Sequence, residues 1–390
     1  MDWQKNYRQQ FPVAEQCIYL DNAYDCGGTT FGRNATEKYF DDWEYGAVRN
    51  ERGGPGRATL FKTLDATREL LNQLVGGLGP EQIAFTRNTN EGINAILQGF
   101  DFQAGDNIVT SRQEHPSVLM PCLNAARTRG VEARVIPVRE DGQVLIEELT
   151  AAADERTRMI LVSHVQSATG FRIDLERLGH WCHERRIFLI VDAIQSLGLQ
   201  PFLAEKWHIA AVSAASYKGL CGVNSTAFTY YHPTFLEHIW PVYTAANSYI
   251  HVEEADGNFS LSCLDETKAG KMENSSLDNL GIYVLHDALQ EILAIGPDAI
   301  WQHVCSLYDQ LYDGLEELGF TIVTPKNEAE HCGILSLKTD QLQEMFEYFR
   351  SHNVCLSISA DQFIRFSLGA FNNQQDIDQL LTVAAKYGIK

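Results

Sequence analysis

Short apolar runs alternate with longer amphipathic stretches over most of the chain. Six of the runs are short, rich in β-branched residues and apolar on both faces, which is typical of buried parallel strands. They are IAFT (83–86), NIVTS (107–111), ARVIPV (133–138), MILVSHV (159–165), IFLIVDA (187–193) and STAFTYY (225–231). Helical patterns lie between them, and several end in Gly, which commonly stops a helix. This βαβ rhythm predicts an α/β fold with a doubly wound sheet covered by helices on both faces.

The pattern changes after about residue 232. Residues 241–276 have the character of an irregular connection, and a long helical stretch follows them. Beyond it, strand patterns at FTIVT, GILSLKT and FIRFSL mix with helical patterns and indicate a smaller α+β unit. We predict a large domain at 17–262 and a small domain formed by 1–16 and 277–390. The connection is placed at 263–276, with a linking helix from about residue 277.

Charge and composition exclude several classes of protein. The chain has 31 Lys+Arg against 51 Asp+Glu and a formal net charge of −20, so nucleic acid and membrane surfaces are not expected as partners. No apolar run approaches the ~18 residues of a membrane-spanning helix. The polar N-terminus lacks the apolar core of a signal peptide. With 45% apolar and 21% charged residues, the composition is that of an ordinary folded enzyme.

The nine cysteines are widely spaced, and their number is odd. No CxxC pair occurs, so we expect no zinc or iron–sulfur site and no other metal. Sparse thiols of this kind are typical of reduced, cytoplasmic proteins.

The segment from Ile187 to Leu220 carries the clearest chemical signal. An apolar strand ends in Asp192, where α/β folds bind ligands, and its carboxylate could pair with a protonated ring nitrogen. Lys218 follows in Ser-Tyr-Lys-Gly and could form a Schiff base with an aldehyde cofactor. This is the layout of a pyridoxal 5′-phosphate (PLP) site. Taken alone, Asp192 also fits a strand-end cap and Lys218 a surface lysine.

Six segments together resemble a known family, the fold type I PLP enzymes of the class V aminotransferase group. That group includes cysteine desulfurases, cysteine C–S lyases, isopenicillin N epimerase and kynureninase. The segments are IYLDNA (18–23), FTRNTNEGIN (85–94), EHPSVLMP (114–121), SHVQSATG (163–170), VDAIQ (191–195) and SYKG (216–219). The resemblance implies a large PLP-binding domain with a mostly parallel, mixed seven-stranded sheet, plus a smaller α+β C-terminal domain.

The resemblance also implies catalytic roles. Lys218 would carry the cofactor as a Schiff base and then move the Cα proton of the substrate. Asp192 would keep the pyridine nitrogen protonated, and Gln195 would hydrogen-bond the phenolic oxygen. His115 would stack on the ring and could shuttle a proton.

Further cofactor contacts are implied in the same way. Thr89 and Asn90 precede a helix that we place from about Glu91, and together with its backbone N–H groups they would cradle the phosphate. Ser216 is expected to contact the phosphate and Ser167 to face the ring or the substrate. Ser276, with Ser275, matches a segment that reaches the phosphate of a partner subunit in relatives, which implies a homodimer with shared active sites.

Arg365, in FIRFSL, matches the arginine that grips the α-carboxylate of the amino-acid substrate. Ile364 and Phe366 flank Arg365, so the alternation of side chains along the strand places Arg365 on the opposite face from both. This placement fits a substrate-binding arginine and a surface arginine equally well.

Three departures bear on the reaction. Tyr217 and Ser167 stand where desulfurases have histidine and asparagine, and NVCLSISADQFIR is too short to hold their cysteine-bearing loop. We interpret Cys355 in that segment as a buried thiol. A PLP-dependent lyase that cleaves the Cβ–S bond of a cysteine-type amino acid is therefore our first hypothesis. A persulfide-forming cysteine desulfurase is the second, followed by an epimerase or aminotransferase, and a non-catalytic scaffold is the alternative from another class.

Overall fold

A computed structural model describes residues 3–48, 55–244, 248–253, 259–263 and 265–387. The helices in these ranges are α1 (Trp3–Arg8), α2 (Thr30–Val48), α3 (Pro55–Val75), α4 (Thr89–Gly99), α5 (Pro116–Arg129), α6 (Ile146–Ala151), α7 (Leu175–Glu184), α8 (Pro233–Leu236), α9 (Asn279–Ile295), α10 (Pro297–Glu317), α11 (Leu342–Ser351) and α12 (Gln374–Tyr387). The strands are β1 (Ile18–Tyr19), β2 (Ile83–Thr86), β3 (Asn107–Ser111), β4 (Glu132–Ile136), β5 (Thr157–Ser163), β6 (Phe188–Asp192), β7 (Ile209–Ala215), β8 (Ala227–Tyr231), β9 (Tyr249–Glu253), β10 (Phe259–Cys263), β11 (Thr321–Ile322), β12 (Ile334–Lys338), β13 (Val354–Cys355), β14 (Ser357–Ser359) and β15 (Phe363–Ser367).

A seven-stranded sheet in the order β2-β8-β7-β6-β5-β3-β4 organises the large part of the molecule. The strands β7, β6, β5, β3 and β4 run parallel, and β8 runs antiparallel to both of its neighbours. The predicted α/β class and the mostly parallel, mixed seven-stranded sheet are therefore confirmed. The six apolar runs did not include β7, because its sequence IAAVSAA is rich in Ala and Ser, which favour strands only weakly.

Both faces of this sheet are buried. Along β5, Ile160 and Val162 belong to one apolar cluster, whereas Met159 and Leu161 belong to a second cluster on the opposite face. Side chains alternate between faces along a strand, so helices must cover both sides. The first cluster continues into the C-terminal part of the chain through residues such as Leu335.

A smaller antiparallel sheet, in the order β11-β12-β15-β14, lies in the C-terminal part. The N-terminal segment packs against this part, because β1 pairs in parallel with β13. Arg8 also bonds Asp376, with Nη1 2.7 Å from the carboxylate. The predicted linking helix corresponds to α9, which begins at Asn279. The domain boundaries themselves stay a prediction.

The interpretation of residues 241–276 as irregular is wrong in part. Within it β9 and β10 form an antiparallel pair, in which Tyr249 lies opposite Cys263. Residues 245–247, 254–258 and 264 of this stretch lie outside the described residues. No long apolar run marks the two strands, which is why the pattern did not predict them. Among the described helices, none combines the length and the apolar character needed to cross a bilayer.

The carboxyl ends of the parallel strands bring polar residues together at one edge of the large sheet. Ser163 at the end of β5 is in register with Asp192 at the end of β6, and Asp192 is in register with Ser213 of β7. α4 approaches the same edge, where Ser213 Oγ donates to the carbonyl of Thr89 over 3.2 Å.

Gly92 allows this close approach of α4 to the sheet. A Cβ at this position would lie 2.2 Å from Thr229 Oγ1 and 2.3 Å from Ser213 Oγ. Gly92→Ala must therefore displace the helix or the strands, and we expect a loss of roughly 1–3 kcal/mol in unfolding free energy. Gly270→Ala is the matched control, because nothing lies within 4 Å of its added Cβ. Equal thermal unfolding midpoints for the two variants would contradict this packing.

Candidate active site

A cavity of about 260 Å³ opens at the carboxyl edge of the seven-stranded sheet, and we call it the inner cavity. Its lining includes most of the site residues expected from the sequence. These are Thr89, Asn90, His115, Ser167, Asp192, Gln195 and Lys218. Tyr217 and three residues that the sequence did not single out, Asn88, Ser117 and Ser163, also line it.

The N-terminus of α4 forms one wall of the inner cavity. The helix begins at Thr89 rather than near Glu91, and Asn88 is its N-cap, accepting from the Glu91 N–H over 2.8 Å. The Thr89 hydroxyl is fixed to the sheet, because its oxygen accepts from the Ala215 N–H over 3.0 Å. Among the described residues, the backbone N–H groups of Thr89 and Asn90 have no acceptor. First-turn N–H groups carry partial positive charge, so this wall fits an anion such as a phosphate.

Asp192 and Lys218 form a buried pair of ionisable groups. Burial raises the pKa of Asp192 to about 6, although the Ile194 N–H, 3.0 Å from Oδ1, and the charge of Lys218 both lower it. Burial and the neighbouring Arg365 lower the pKa of Lys218 to about 8. At pH 7 about a tenth of the molecules then carry Lys218 Nζ as a neutral nucleophile and base, far more than an ordinary lysine would provide.

Glu114 is buried next to the inner cavity and is hydrogen-bonded to Ser163, which lines it. Its Oε2 accepts from Ser163 through the backbone N–H (2.9 Å) and the hydroxyl (2.5 Å), and its Oε1 accepts from Gln166 Nε2 (2.8 Å). Burial raises the pKa of Glu114 to about 7, against the lowering effect of these donors. The carboxyl thereby fixes the backbone next to His115 against the end of β5.

His115 is the N-cap of α5 through its Nδ1, which leaves Nε2 available to other groups. Its Nδ1 accepts from the Ser117 N–H over 3.1 Å, so the neutral ring carries its proton on Nε2. Partial burial, together with the charges of Lys218 and Arg365, lowers the pKa of His115. Gln195 Nε2 donates to the Ala23 carbonyl over 3.1 Å and retains a second N–H.

An outer cavity of about 490 Å³ adjoins the inner one and shares His115, Ser167, Gln195, Tyr217 and Lys218 with it. Arg365 lines this outer cavity.

The Arg365 guanidinium is held in place by its neighbours. Its Nε and Nη2 donate to Ser357 Oγ (3.1 and 2.9 Å), and its Nη1 donates to the Ser167 carbonyl (2.8 Å). Asp21 Oδ1 lies 3.8 Å from Nη2 and has no hydrogen-bond partner among the described residues. Three of the five N–H donors are thus used, and two remain for a planar carboxylate.

Two of the expected residues lie outside both cavities. The Ser216 hydroxyl donates to the carbonyls of Val223 (3.0 Å) and Thr226 (2.8 Å), and its expected phosphate contact stays a prediction. A tight turn causes this orientation, since a Cβ at Gly222 would lie 2.4 Å from Ser216 Oγ. Ser276 is exposed, and its expected contact with a partner subunit stays a prediction.

Cysteine side chains are absent from the lining of both cavities, as far as the described residues extend. The structure describes the side chains of eight of the nine cysteines, and all eight are free thiols. Cys355 lies in β13 beside Tyr19, and burial raises its pKa to about 11. The segment that follows is a compact turn between β14 and β15, closed by a 3.1 Å bond from the Gln362 N–H to the Ser359 carbonyl.

Some of the functional residues carried a local signal in the sequence, and others did not. Asn88 begins the pattern Asn-x-x-Glu, a capping motif that would have placed the start of α4. Asp21 and Ser357 had no such signal, because tertiary packing alone brings them to Arg365.

Comparison with known proteins identifies the family. The model of the aminotransferase class-V family matches residues 18–380, so the chain belongs to this family. A probable cysteine desulfurase of Methanothermobacter thermautotrophicus is 28% identical over 81% of this chain and 78% of its own length. The fold is also shared with the apo structure of a cysteine desulfurase from Thermococcus onnurineus NA1 (TM-score 0.87, 21% identity, covering 98% of this chain and 97% of that one). The cystine C–S lyase C-DES, in complex with its reaction product cysteine persulfide, matches with a TM-score of 0.84 and 21% identity over 96% of this chain and 99% of that one.

The buried Glu114 predicts a specific pH dependence of stability in the cofactor-free protein. Its pKa is raised from 4.5 to about 7, so the folded state binds the proton more tightly than the unfolded state does. The stabilisation is fully present below about pH 4.5 and is lost as the pH rises through about 7, a change on the order of 3 kcal/mol. Glu114→Gln has no proton to lose, so we expect the thermal midpoint of the wild type to fall relative to this variant over that range.

The variant can keep the local hydrogen bonds. A glutamine carbonyl can accept from Ser163, and a flipped Gln166 can offer its Oε1, which has no described partner. Glu155→Gln, at an exposed carboxyl, is the matched control. A difference in thermal midpoint between the wild type and Glu114→Gln that does not change with pH would contradict this prediction.

Proposed function

We propose that the protein is a PLP-dependent lyase that cleaves the Cβ–S bond of a cysteine-type amino acid. Three features of the inner cavity support PLP as the cofactor: a helix N-terminus with free N–H groups, a buried carboxyl at the end of β6, and a buried lysine of lowered pKa. The names of the relatives, a probable cysteine desulfurase and a cystine C–S lyase, support a sulfur-containing amino acid as substrate.

The residues present fit the cofactor in distinct positions. The N–H groups of Thr89 and Asn90 would hold the phosphate, Asp192 would hold the ring nitrogen in its protonated form, and the second N–H of Gln195 would reach the phenolic oxygen. When bound, PLP supplies an aldehyde that condenses with amines and a pyridinium ring that withdraws electrons from Cα.

The chain itself then handles the substrate and its proton. Arg365 would bind the α-carboxylate with its two remaining N–H donors. Lys218 Nζ takes the Cα proton, and the Cβ–S bond breaks with its electron pair leaving on sulfur. A proton from solvent, or the proton that Lys218 took from Cα, completes the sulfur product. The remaining 2-aminoacrylate takes up water and gives pyruvate and ammonia.

The missing thiol favours elimination over persulfide transfer. A cysteine desulfurase needs a cysteine side chain that can attack the substrate sulfur, and none of the described cysteines lines either cavity. This is the single observation that carries the choice of a lyase. The desulfurase remains the second candidate, because a cysteine desulfurase is among the similar sequences. An epimerase or aminotransferase would use the same Lys218 and Asp192.

We also propose a cytoplasmic homodimer with shared active sites. Ser276 is exposed and outside both cavities, as a residue that serves a partner subunit would be. Large apolar side chains on α2 and α3, among them Trp43 (61% exposed) and Phe61 (53% exposed), suit an interface. The free thiols of the eight described cysteines fit a reducing compartment.

The products test the proposed reaction. With cystine and with cysteine conjugates as substrates, we expect pyruvate to form in step with the sulfur product, and Lys218→Ala to form neither. Cys355→Ala should change the rate little, as should Cys17→Ala, a matched half-buried thiol outside both cavities. Alanine in place of pyruvate, together with loss of sulfur release in Cys355→Ala, would establish the desulfurase instead. Exchange of the Cα proton without a product would indicate an epimerase.

The pKa of Lys218 predicts how the cofactor-free protein takes up PLP. Only the neutral amine condenses with an aldehyde, so the absorbance near ~420 nm should appear faster as the pH rises and level off above about 8. Arg365→Met removes a cation that lowers this pKa, so the midpoint should move to higher pH. Arg185→Met, at an exposed arginine, serves as the control. A rate that keeps rising to pH 10 in the wild type would contradict the lowered pKa.

A further inference from the structure

The outer cavity does not end at Arg365 but continues into a wider groove of about 960 Å³. The two spaces share Gln113, Glu114, Ala168 and Ala360, so they are contiguous. We call the wider space the side groove. Its lining includes residues that follow β3 and β4 in the large sheet (Arg112, Val138, Glu140) and residues of the small sheet and its turns (Lys338, Asp361, Phe363).

Among the described residues, the lining of the outer cavity holds no cation beyond those that the proposed reaction already uses. Its cationic side chains are Arg365 and Lys218, with His115 of lowered pKa. In the proposed reaction Arg365 binds the α-carboxylate, and Lys218 serves the cofactor and the Cα proton. Asp25 lines the same cavity and would repel an anion. To meet a further cation among the described residues, an anionic group on the far side of the sulfur has to reach beyond the outer cavity.

The side groove supplies charges of both signs. Arg112 and Lys338 have no ion-pair partner among the described residues, whereas the nearby Arg139 is engaged by Asp141 (2.8 Å) and Glu148 (2.9 Å). Glu140 and Asp361 also line the groove, and the described ion pairs include neither of them. Two free cations beside two free carboxylates match a group that carries a carboxylate and an ammonium together.

The groove also suits an extended chain. Val138 (52% exposed) and the half-buried Phe363 give it apolar surface, on which methylene groups could lie. Its volume of about 960 Å³ is added to the 490 Å³ of the outer cavity, which is more room than a single amino acid requires.

We infer that the side groove is a substrate subsite for the zwitterionic far end of the sulfur substituent. The substrate class is then a cysteine joined through sulfur to a second amino acid or a short peptide. Arg112 and Lys338 would bind its carboxylate, and Glu140 and Asp361 its ammonium group. This inference rests on the proposed function, since it assumes that the reacting cysteine is held at Lys218 and Arg365.

Mixed disulfides of cysteine with different thiols test the subsite. Ethanethiol gives a neutral far end, 3-mercaptopropionate an anionic one and glutathione a zwitterionic peptide. We expect Arg112→Met/Lys338→Met to lower kcat/KM for the 3-mercaptopropionate and glutathione disulfides by about 5- to 10-fold, chiefly through KM, because each exposed ion pair contributes only modestly. The ethanethiol disulfide should be cleaved as by the wild type.

The matched control removes two cations elsewhere. Arg127→Met/Lys386→Met changes the net charge equally at exposed positions outside the groove, and it should leave the three kcat/KM values in their wild-type ratio. Lys338→Glu should go further and favour the disulfide of cysteine with cysteamine, whose far end is cationic. An equal effect of Arg112→Met/Lys338→Met on all three disulfides would overturn the subsite. No cleavage of any disulfide by the wild type would instead refute the proposed lyase activity.

Discussion

Burial of ionisable side chains at the carboxyl edge of a parallel sheet is the constraint on which the rest of the structure depends. Burial raises the pKa of Asp192 to about 6 and lowers the pKa of Lys218 to about 8, so the two values approach each other. The sheet can impose this because hydrogen-bonded strands and two apolar clusters hold its polar edge rigid. Glu114, with a pKa of about 7, extends the same buried network to the backbone beside His115.

Much of this arrangement follows from the sequence. All six apolar runs correspond to strands of the seven-stranded sheet within two residues of the expected bounds, and IAFT and NIVTS match without any shift. Asp192 and Lys218 were identifiable because strand-end positions recur in α/β folds and the chemistry there needs these residue types. The strand β7 was not predicted, because Ala and Ser carry little hydrophobic signal and its burial on both faces arises only from tertiary packing.

The finer geometry of the site depends on contacts that no local pattern contains. Ser216 adjoins Tyr217 and Lys218 in the chain, yet its hydroxyl is drawn into a turn by the carbonyls of Val223 and Thr226. Conversely, Asp21 lies 344 positions before Arg365 (365 − 21) and still approaches it to 3.8 Å, because β1 is carried to the C-terminal part by its pairing with β13. Sequence spacing cannot report either effect.

The acidic charge of the whole chain makes a cation beside the active site informative. With a net charge of −20, long-range attraction does not bring an anionic substrate to this protein. Recognition must therefore be local, through donors held at short range, as Ser357 and the Ser167 carbonyl hold Arg365. A free arginine or lysine beside such a site is then more than general surface charge. Carboxylates over most of the surface repel an anion, except where a nearby cation offsets their charge. The positions of the cations therefore determine where the carboxylate end of a zwitterionic substrate can bind.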